Sequence, residues 1–472
     1  MAKRKAKQNR ALASGYDAVS STGKRKAASP IIKREDEHLK GRERNVMTGG
    51  AQALYRNFSM VAWAVRKHLD YNTHFDFQVR TETPEFNDQL ESLMAQWMRP
   101  ANCDASGRLP FHQMIRLAEA RRVVDGDFFL LRRSNGTLQA IEGDLVRDPD
   151  DAAPSERWYN GGLVNREGRV QQWHVCERER NGTYAPWKRV VAGNMVHICA
   201  FDRFDQTRGV SPLTSAYNAF RDVYEGIDYA LAKMKVEQLF ALVIKSTSAS
   251  GTGEYTRNGD GTYDVDFGRG PIKMELDGDD DAEFLSADNP GSNTQEFLSL
   301  VLSMAIKSLD LPINFVDESR TNFFGSRAAW LLYDRSCLAK RAVILEALRK
   351  ITIWKMQQWI VQGQLSLPQG VETLADIDFE WVHRGMPWWD PSKEIQGDLE
   401  AMRAGLDNPY RICKERGRGE LEENLRQIAK ARDLAEELNL NLSFLVPENA
   451  PPPVEGEFPP EDDEESDDAI DE

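Results

Sequence analysis

Residues 207–234 have the sequence TRGVSPLTSAYNAFRDVYEGIDYALAKM, which decides the fold. Ser211 followed by Pro212 predicts the start of a helix, because serine caps free N–H groups and the first turn tolerates proline. Apolar side chains then recur at alternating intervals of three and four residues: Tyr217, Phe220, Tyr224, Ile227, Leu231 and Met234. This spacing predicts one long helix with a narrow seam that packs lengthwise against other helices. A seam this narrow is not typical of a monomer's core face, so it favours assembly of several copies.

Downstream, short strands and then two more helices are predicted. Residues 242–245 and the alternating Ile272, Met274 and Leu276 indicate strands in a stretch rich in glycine, serine and asparagine. A second helix is expected over 293–309 and is ended by Pro312. A polar loop follows, and then a third, long helix over 326–361. The two shorter helices therefore flank a β-rich insertion.

Upstream, helical periodicity gives way to strands. Amphipathic helices are expected over 51–69, 87–98 and 111–120. The dipeptide Asn135-Gly136 is a hairpin turn signal. Strands are expected on both sides of this turn and beyond it, over 127–132, 137–141, 171–175, 187–190 and 196–200. This part of the chain is therefore mixed helix and sheet.

The 472 residues suggest about three folded units, flanked by two charged ends. Residues 1–45 hold 13 Lys/Arg and 5 Asp/Glu, and residues 448–472 hold 12 acids and no base. Subtracting +8 and −12 from the total charge of −15 leaves −11 for the body. Both ends are expected to be flexible because they have little apolar surface to bury. The acidic body argues against a broad DNA-gripping face but permits a protein that encloses DNA.

Composition excludes several further classes of protein. No apolar run reaches the roughly 20 residues of a membrane span, and the basic start is not followed by the apolar core of a secretory signal. Synthesis inside the cell is therefore expected. The five cysteines are odd in number and widely spaced, with no CxxC pair. They are expected to be buried thiols.

Enzyme motifs are weak. No Walker A loop, HExxH pair or GxSxG elbow occurs, and His197 and His383 are expected to be structural. Two acidic clusters are candidate metal sites, Asn258 with Asp260 and Asp264, and residues 277–281. In a calcium loop counted from Asn258, the twelfth position is Arg269 where glutamate is needed, which favours solvated turns. No catalytic residue, cofactor or metal is therefore predicted.

Trp381, Trp388 and Trp389 have two possible roles. Their aromatic rings could stack on nucleic-acid bases. Structural packing beside Pro387 is the favoured interpretation.

The order of these elements resembles the lambda-like family of tailed-phage portal proteins. The strings that carry the resemblance are TRGVSPL (207–213), LDLP (309–312), NFFGSRAAWL (322–331) and WWDPSKEIQGDLEAMRAGLDNPYRICKERG (388–417). The similarity extends over about residues 46–440. It implies an α+β, portal-type subunit that assembles as a cyclic ring, with a mixed α/β wing, a helical stem, a small β-rich clip, a long helix behind a tunnel loop, and a helical crown.

With this resemblance, the chain divides into nine segments. They are a flexible basic arm (1–45), the wing (46–211), stem helix 1 (212–240), the clip (241–291), stem helix 2 (292–310), the tunnel loop (311–325), the long helix (326–361), wing completion and crown (362–446), and a disordered acidic tail (447–472).

The resemblance also implies three sets of site residues. The seam residues of the first helix would join subunits. The tunnel loop would face DNA through Asn314, Asp317, Glu318, Arg320, Asn322 and Arg327. Arg320 and Arg327 have an open alternative, which is pairing with Asp317 or Glu318 of a neighbouring subunit. The clip would dock the packaging motor and the neck through Tyr255, Arg257, Asp260, Tyr263, Asp264 and Arg269.

The function implied is a DNA channel at one capsid vertex, assembled in the host cytoplasm, that nucleates the head, serves packaging and ejection, and joins head to tail. The implied partners are further copies, usually twelve in all, the terminase large subunit, major capsid and scaffold proteins, neck proteins, and double-stranded DNA that passes without sequence specificity. No membrane and no enzymatic activity are implied. Two alternatives stay open, a metal-dependent nuclease using Asp277–Asp281 and a scaffold without a channel.

Overall fold

A computed structural model describes residues 31–239, 242–246, 280–284, 292–317, 322–368, 370–383, 391–438 and 440. The chain divides into two compact units, Met1–His383 and Arg384–Glu472. None of the described helices has the length and apolarity of a membrane span.

The helices of the first unit are α1 (Glu35–His38), α2 (Arg42–Asn57), α3 (Ser59–Asn72), α4 (Pro84–Trp97), α5 (Pro100–Cys103), α6 (Phe111–Asp125), α7 (Tyr217–Leu239), α8 (Ser292–Ile306) and α9 (Phe323–Val361). The second unit contains α10 (Pro391–Arg403), α11 (Pro409–Glu415) and α12 (Leu421–Glu437). In the second unit, Arg416 pairs with Asp398 and Glu394 at 2.9 and 2.8 Å, which ties the end of α11 to α10.

The strands form four small antiparallel sheets. They are β1 (Phe75–Val79), β2 (Asp127–Arg132), β3 (Leu138–Glu142), β4 (Trp158–Tyr159), β5 (Gly162–Val164), β6 (Val170–Arg178), β7 (Tyr184–Val191), β8 (Met195–Cys199), β9 (Leu242–Ser246), β10 (Asp280–Phe284) and β11 (Phe379–His383). The sheets have the orders β3-β2-β8, β4-β5-β6-β7, β1-β11 and β9-β10.

Strand β2 is central because both of its faces are buried. Alternate residues of a strand point to opposite faces of the sheet. Phe128 and Leu130 belong to a core formed with α4, α6 and the second half of α9, whereas Phe129 and Leu131 belong to a core shared with β6 and β7. A third core joins α2 and α3 to the beginning of α7 and the end of α8. The run DFFLLR of β2 therefore bridges two cores.

Arg208 anchors the chain that leads into α7. Its guanidinium is fully buried and binds both carboxylate oxygens of Asp127, and it also donates to the carbonyl oxygens of Gly143, Val146 and Asn160 at 2.6 to 2.9 Å. Burial raises the pKa of the Asp127 carboxyl, but the positive charges of Arg208 and Arg44 outweigh it and hold this pKa well below its usual range. The result is a buried ion pair whose polar atoms are satisfied, the condition under which burial of charge is tolerated.

Two neighbouring contacts complete this anchor. Gly209 passes so close to Gly126 that a Cβ atom on Gly209 would lie 2.1 Å from the Gly126 carbonyl oxygen, so glycine is required there. Ser211 Oγ donates to the Val123 carbonyl oxygen at 2.6 Å and accepts from the Leu213 N–H. The entry to α7 is therefore fixed against α6 and β2.

Most sequence predictions of elements before residue 211 are confirmed, and two are wrong. The single helix predicted over 51–69 is two helices, α2 and α3, because Phe58 takes an extended conformation between them. The flexible arm predicted through residue 45 is wrong for residues 35–45. Asp36 is buried and accepts hydrogen bonds from the N–H groups of Thr207 and Arg208, and Arg44 pairs with Asp127 at 3.4 Å. Residues 1–30 and 441–472 lie outside the described residues.

Four of the five cysteines are buried, as predicted: Cys103, Cys176, Cys199 and Cys337. Cys413 is half-buried, so the prediction holds for it only in part. All five are free thiols.

Replacing Arg208 tests the anchor. Arg208→Met leaves the Asp127 carboxylate buried without its main counter-charge, so the opening free energy of β2 should fall by about 3–5 kcal/mol. Native-state hydrogen exchange of the β2 amides measures it. The control is Arg178→Met, which removes ion pairs of a half-exposed arginine with Glu142 and Asp144 and should cost less than about 1 kcal/mol. Equal losses in the two variants would contradict the role of Arg208.

Candidate functional site

The helix pair α7–α8 begins as a continuation of the protein core. A 3-10 turn over Pro212–Ala216 leads into α7, as the Ser211-Pro212 signal predicted. Phe220 is fully buried and lies 6.5 Å from the ring of Phe58 in an edge-on contact. Helix α8 packs beside α7 and ends in a 3-10 turn at Lys307–Leu309, which confirms the prediction of a helix to residue 309.

Further along, both helices expose apolar side chains. Ile227 and Leu231 are 38% and 48% exposed on α7, and Phe297, Leu300 and Met304 are 62%, 55% and 62% exposed on α8. With Tyr224, these residues are called the apolar stripe below. Exposed apolar side chains that recur along one side of each helix in this way mark an interaction site.

The predicted seam is therefore divided between two roles. Phe220 and most of Tyr217 are covered within the chain itself, so the prediction that they belong to a seam between subunits is wrong for Phe220. Tyr224, Ile227 and Leu231 are exposed, and Met234 is half-buried. Periodicity alone does not distinguish these two parts, because the spacing continues unchanged from Tyr217 to Met234.

The end of α8 is tied to α9. Lys340 Nζ donates to the Leu309 carbonyl oxygen at 2.7 Å and pairs with Asp310 at 2.8 Å. Asp310 has φ 59°, a left-handed conformation that is uncommon for a residue other than glycine. The chain therefore turns at Asp310, and these contacts fix its direction as it reaches Pro312.

The segment after Pro312 is packed where a polar loop was predicted. Residues Ile313–Phe315 form a 3-10 turn, and the ring of Phe315 lies 5.2 to 5.9 Å from the rings of Tyr71, Trp330 and Tyr333. Asn314 and Asp317 are half-buried beside this aromatic cluster. The prediction of a polar tunnel loop over 311–325 is therefore wrong for residues 313–315, because the apolar residues between the polar ones find a partner surface on α3 and α9.

Helix α9 begins at Phe323, three residues before the predicted start at Ser326. Asn322 is the cap, and its side chain accepts from the Gly325 N–H at 2.8 Å. Asparagine at this position satisfies an N–H group that the first helical turn leaves free. Arg327 lies in the second turn of α9 and is half-buried, whereas Glu318 and Arg320 lie outside the described residues.

The predicted clip site lies outside the described residues in full: Tyr255, Arg257, Asp260, Tyr263, Asp264 and Arg269. At its borders, β9 and β10 pair so that Asp280 lies opposite Ser246 and Asp281 opposite Lys245. The prediction that these two aspartates lie in solvated turns is wrong, because they belong to strand β10. Successive strand positions belong to opposite faces of a sheet, so positions 280 and 281 do not form one metal site. Within the described ranges, no group of three or more His, Cys, Asp and Glu is placed to hold a metal ion.

The histidines and Trp381 have structural surroundings, as predicted. The ring of His197 stacks on Phe129 at 4.4 Å and binds Asp127, and burial is the main cause that lowers its pKa. Burial also lowers the pKa of His383 to about 4. Trp381 is buried and donates to Thr352 Oγ1 at 3.0 Å, which leaves it inaccessible to bases. Trp388 and Trp389 lie outside the described residues.

Sequence reasoning missed the residues that hold this site in place, Arg208, Asp127 and Lys340. A signal was present for Asp127, because this charged residue directly precedes the apolar run 128–131. Such a charge needs a partner when it is buried. The partner, 81 residues away, could not be identified from one sequence.

Residues 23–341 match the family model described as phage portal protein, lambda family. No curated protein sequence matches the chain. Similar solved structures include the virion of a native gene transfer agent particle (13% identity, 80% of this chain and 94% of that chain, TM-score 0.47), the neck of an empty gene transfer agent particle (13%, 78% and 93%, 0.48), and an HK97-family phage portal protein from Corynebacterium diphtheriae (12%, 76% and 97%, 0.32).

Substitution of Phe315 tests whether the segment after Pro312 is anchored. Phe315→Ala removes the ring from the aromatic cluster and should lower the local opening free energy of residues 313–317 by about 3 kcal/mol. Hydrogen exchange of these amides measures the change. Leu332→Ala on α9 is the control, because this side chain is largely exposed and its removal should alter exchange little. Unchanged exchange in Phe315→Ala would show that the ring does not hold the segment.

Proposed function

The chain belongs to the lambda family of phage portal proteins, and from this premise we propose that it forms the ring-shaped DNA channel at one capsid vertex. The observation that carries the proposal is the apolar stripe on α7 and α8, which a single chain leaves exposed. In the proposal these two helices are the stem, residues 46–211 the wing and residues 241–291 the clip.

The stripe supports closure into a ring. In the proposal, the stripe of one subunit packs against a different surface of the next, which is a heterologous contact. Contacts of this kind generate a closed ring when the rotation between neighbours divides a full turn. We propose a ring near twelvefold, the usual number in portal proteins. The anchor at Arg208 would set the rotation, because it fixes the angle at which α7 leaves the wing.

The channel itself is proposed to be narrowed by the segment between Asp317 and Asn322. Its two ends are held, at Phe315 by aromatic packing and at Asn322 by the helix cap. A short connection between fixed ends can change conformation without disturbing α8 or α9. Duplex DNA carries about one negative charge per 1.7 Å of axis, so an acidic body lets it slide without tight binding.

The remaining roles are proposed from the family. The clip would dock the terminase large subunit during packaging and neck proteins afterwards, and the ring would nucleate the head with the scaffold and major capsid proteins. The subunit would be assembled in the host cytoplasm and remain in the virion. No catalytic step is proposed for this chain, so packaging energy would come from the docked motor.

A charge placed within the stripe tests ring formation. Ile227→Asp puts a carboxylate where the proposal requires apolar contact, so the protein concentration needed for rings should rise at least tenfold. Native mass spectrometry across a dilution series measures it. Asn218→Asp adds the same group on the opposite, exposed face of α7 and should leave ring formation unchanged. Rings that form equally well in both variants would remove the stripe from the subunit interface.

Shortening the segment between Asp317 and Asn322 tests whether it narrows the channel. Replacing residues 318–321 with two glycines keeps Asp317 and the Asn322 cap, so rings and proheads should still form. The wider channel should retain DNA poorly, and the protected DNA in a packaging assay should be shorter than the genome. A Gly-Ser-Gly-Ser replacement of the same length is the control for side-chain identity. Full-length, stably held genomes in the shortened variant would contradict the placement of this segment in the channel.

A further inference from the structure

A groove of about 380 Å³ lies where the end of β2 meets β7, away from the helix pair. Arg132 and Arg133 line it from β2 and the turn after it, and Lys188 and Asn194 line it from β7 and the turn before β8. Of the apolar residues of its lining, Leu131 and Val190 are buried in the core beneath, and Val191 is 59% exposed. The accessible part of the groove is therefore mainly polar and positively charged.

Four cations line this groove, Arg132, Arg133, Lys188 and Arg189, and they differ in their partners. Within the described residues, no salt bridge involves Arg132, Arg133 or Lys188, whereas neighbouring Arg189 pairs with Asp151 at 2.8 Å. Burial lowers the pKa of Arg132, and burial followed by the charge of Arg133 lowers that of Lys188. Arg132 Nε is also buried without a hydrogen-bond partner in the described part of the chain. An anion in the groove would relieve the repulsion between these charges.

The groove is also rigidly supported. The guanidinium of Arg132 lies 5.9 Å from the ring centre of Trp354 on α9. Lys355 lies 5.3 to 5.9 Å from the rings of Trp97, Trp354 and Trp359, and Trp97 donates to the Gly136 carbonyl oxygen at 2.8 Å. The hairpin that carries Arg132 and Arg133 is thus fastened to α4 and α9. Side chains held in this way lose less entropy when they bind a ligand.

We infer that Arg132, Arg133 and Lys188 bind backbone phosphates of duplex DNA at a site on the wing, outside the stem channel. The choice of DNA rests on the proposed function, since a portal ring is exposed to packaged duplex. The groove favours a nucleic acid over an acidic protein because the recess is charged and offers no deep apolar pocket among its described residues, and such pockets anchor most protein partners. Arginine forks match phosphate oxygens in a bidentate manner.

The test compares two double variants of the full chain that remove the same charge. Arg133→Gln with Lys188→Gln removes two proposed phosphate contacts and leaves Arg132 on Trp354. Arg166→Gln with Arg180→Gln removes two exposed arginines from turns of the same β4-β5-β6-β7 sheet. Binding of a 20-base-pair duplex is measured by fluorescence anisotropy over a range of salt concentrations, with poly-glutamate as a competitor.

For the groove variant, the slope of log K against log salt should become shallower by about 1.8, which corresponds to two lost phosphate contacts. Affinity at 0.1 M salt should fall about tenfold, and the turn variant should change far less. Equal changes in the two variants would overturn the inference, because general charge would explain binding. Displacement of DNA by poly-glutamate at equal charge concentration would also overturn it and indicate an acidic protein partner. Native masses of the same samples test ring formation separately, so failure of the proposed function is distinguishable.

Discussion

The buried contact between Arg208 and Asp127 is the constraint on which the rest of the structure depends. One guanidinium binds the first residue of β2 and three carbonyl oxygens from two loops, while the backbone N–H of the same arginine donates to Asp36 near the N-terminus. These partners are far apart in sequence, so the contact forms only when the sheets and α1 are in place. Because Ser211 and α7 follow within a few residues, the direction of the stem is set by the same contact.

Helix α9 extends this constraint across the molecule. The helix has 39 residues, and its two halves belong to different hydrophobic cores. Tyr333 and Cys337 lie in the core of α2, α3 and α7, whereas Ile344, Ile351 and Trp359 lie in the core of α4, α6 and β2. Helix α9 therefore joins the two cores as one element. This arrangement explains why Asp310, Phe315 and Asn322 are each held by a specific contact.

Local sequence signals predicted many elements. They failed where contacts with residues far away in the sequence determine the structure. The Ser211-Pro212 start of the stem and the Asn135-Gly136 hairpin were predictable because the chemistry of a cap or a turn lies within a few residues. The break at Phe58 was not, because neither glycine nor proline marks it. The predicted boundary of the basic arm was wrong because Asp36 accepts hydrogen bonds from backbone N–H groups 171 and 172 residues away. Likewise, no local signal shows that Phe220 is covered by Phe58 while Ile227 stays exposed.

The central claim is that α7 and α8 of several copies pack through the apolar stripe around a common axis. Electron cryo-microscopy of the purified full chain tests it most directly, because rotational symmetry and the position of each helix are seen together. The account predicts a closed ring of about twelve subunits with α7 and α8 around the central opening. Monomers, open filaments, or a ring with this helix pair on its outer rim would contradict it.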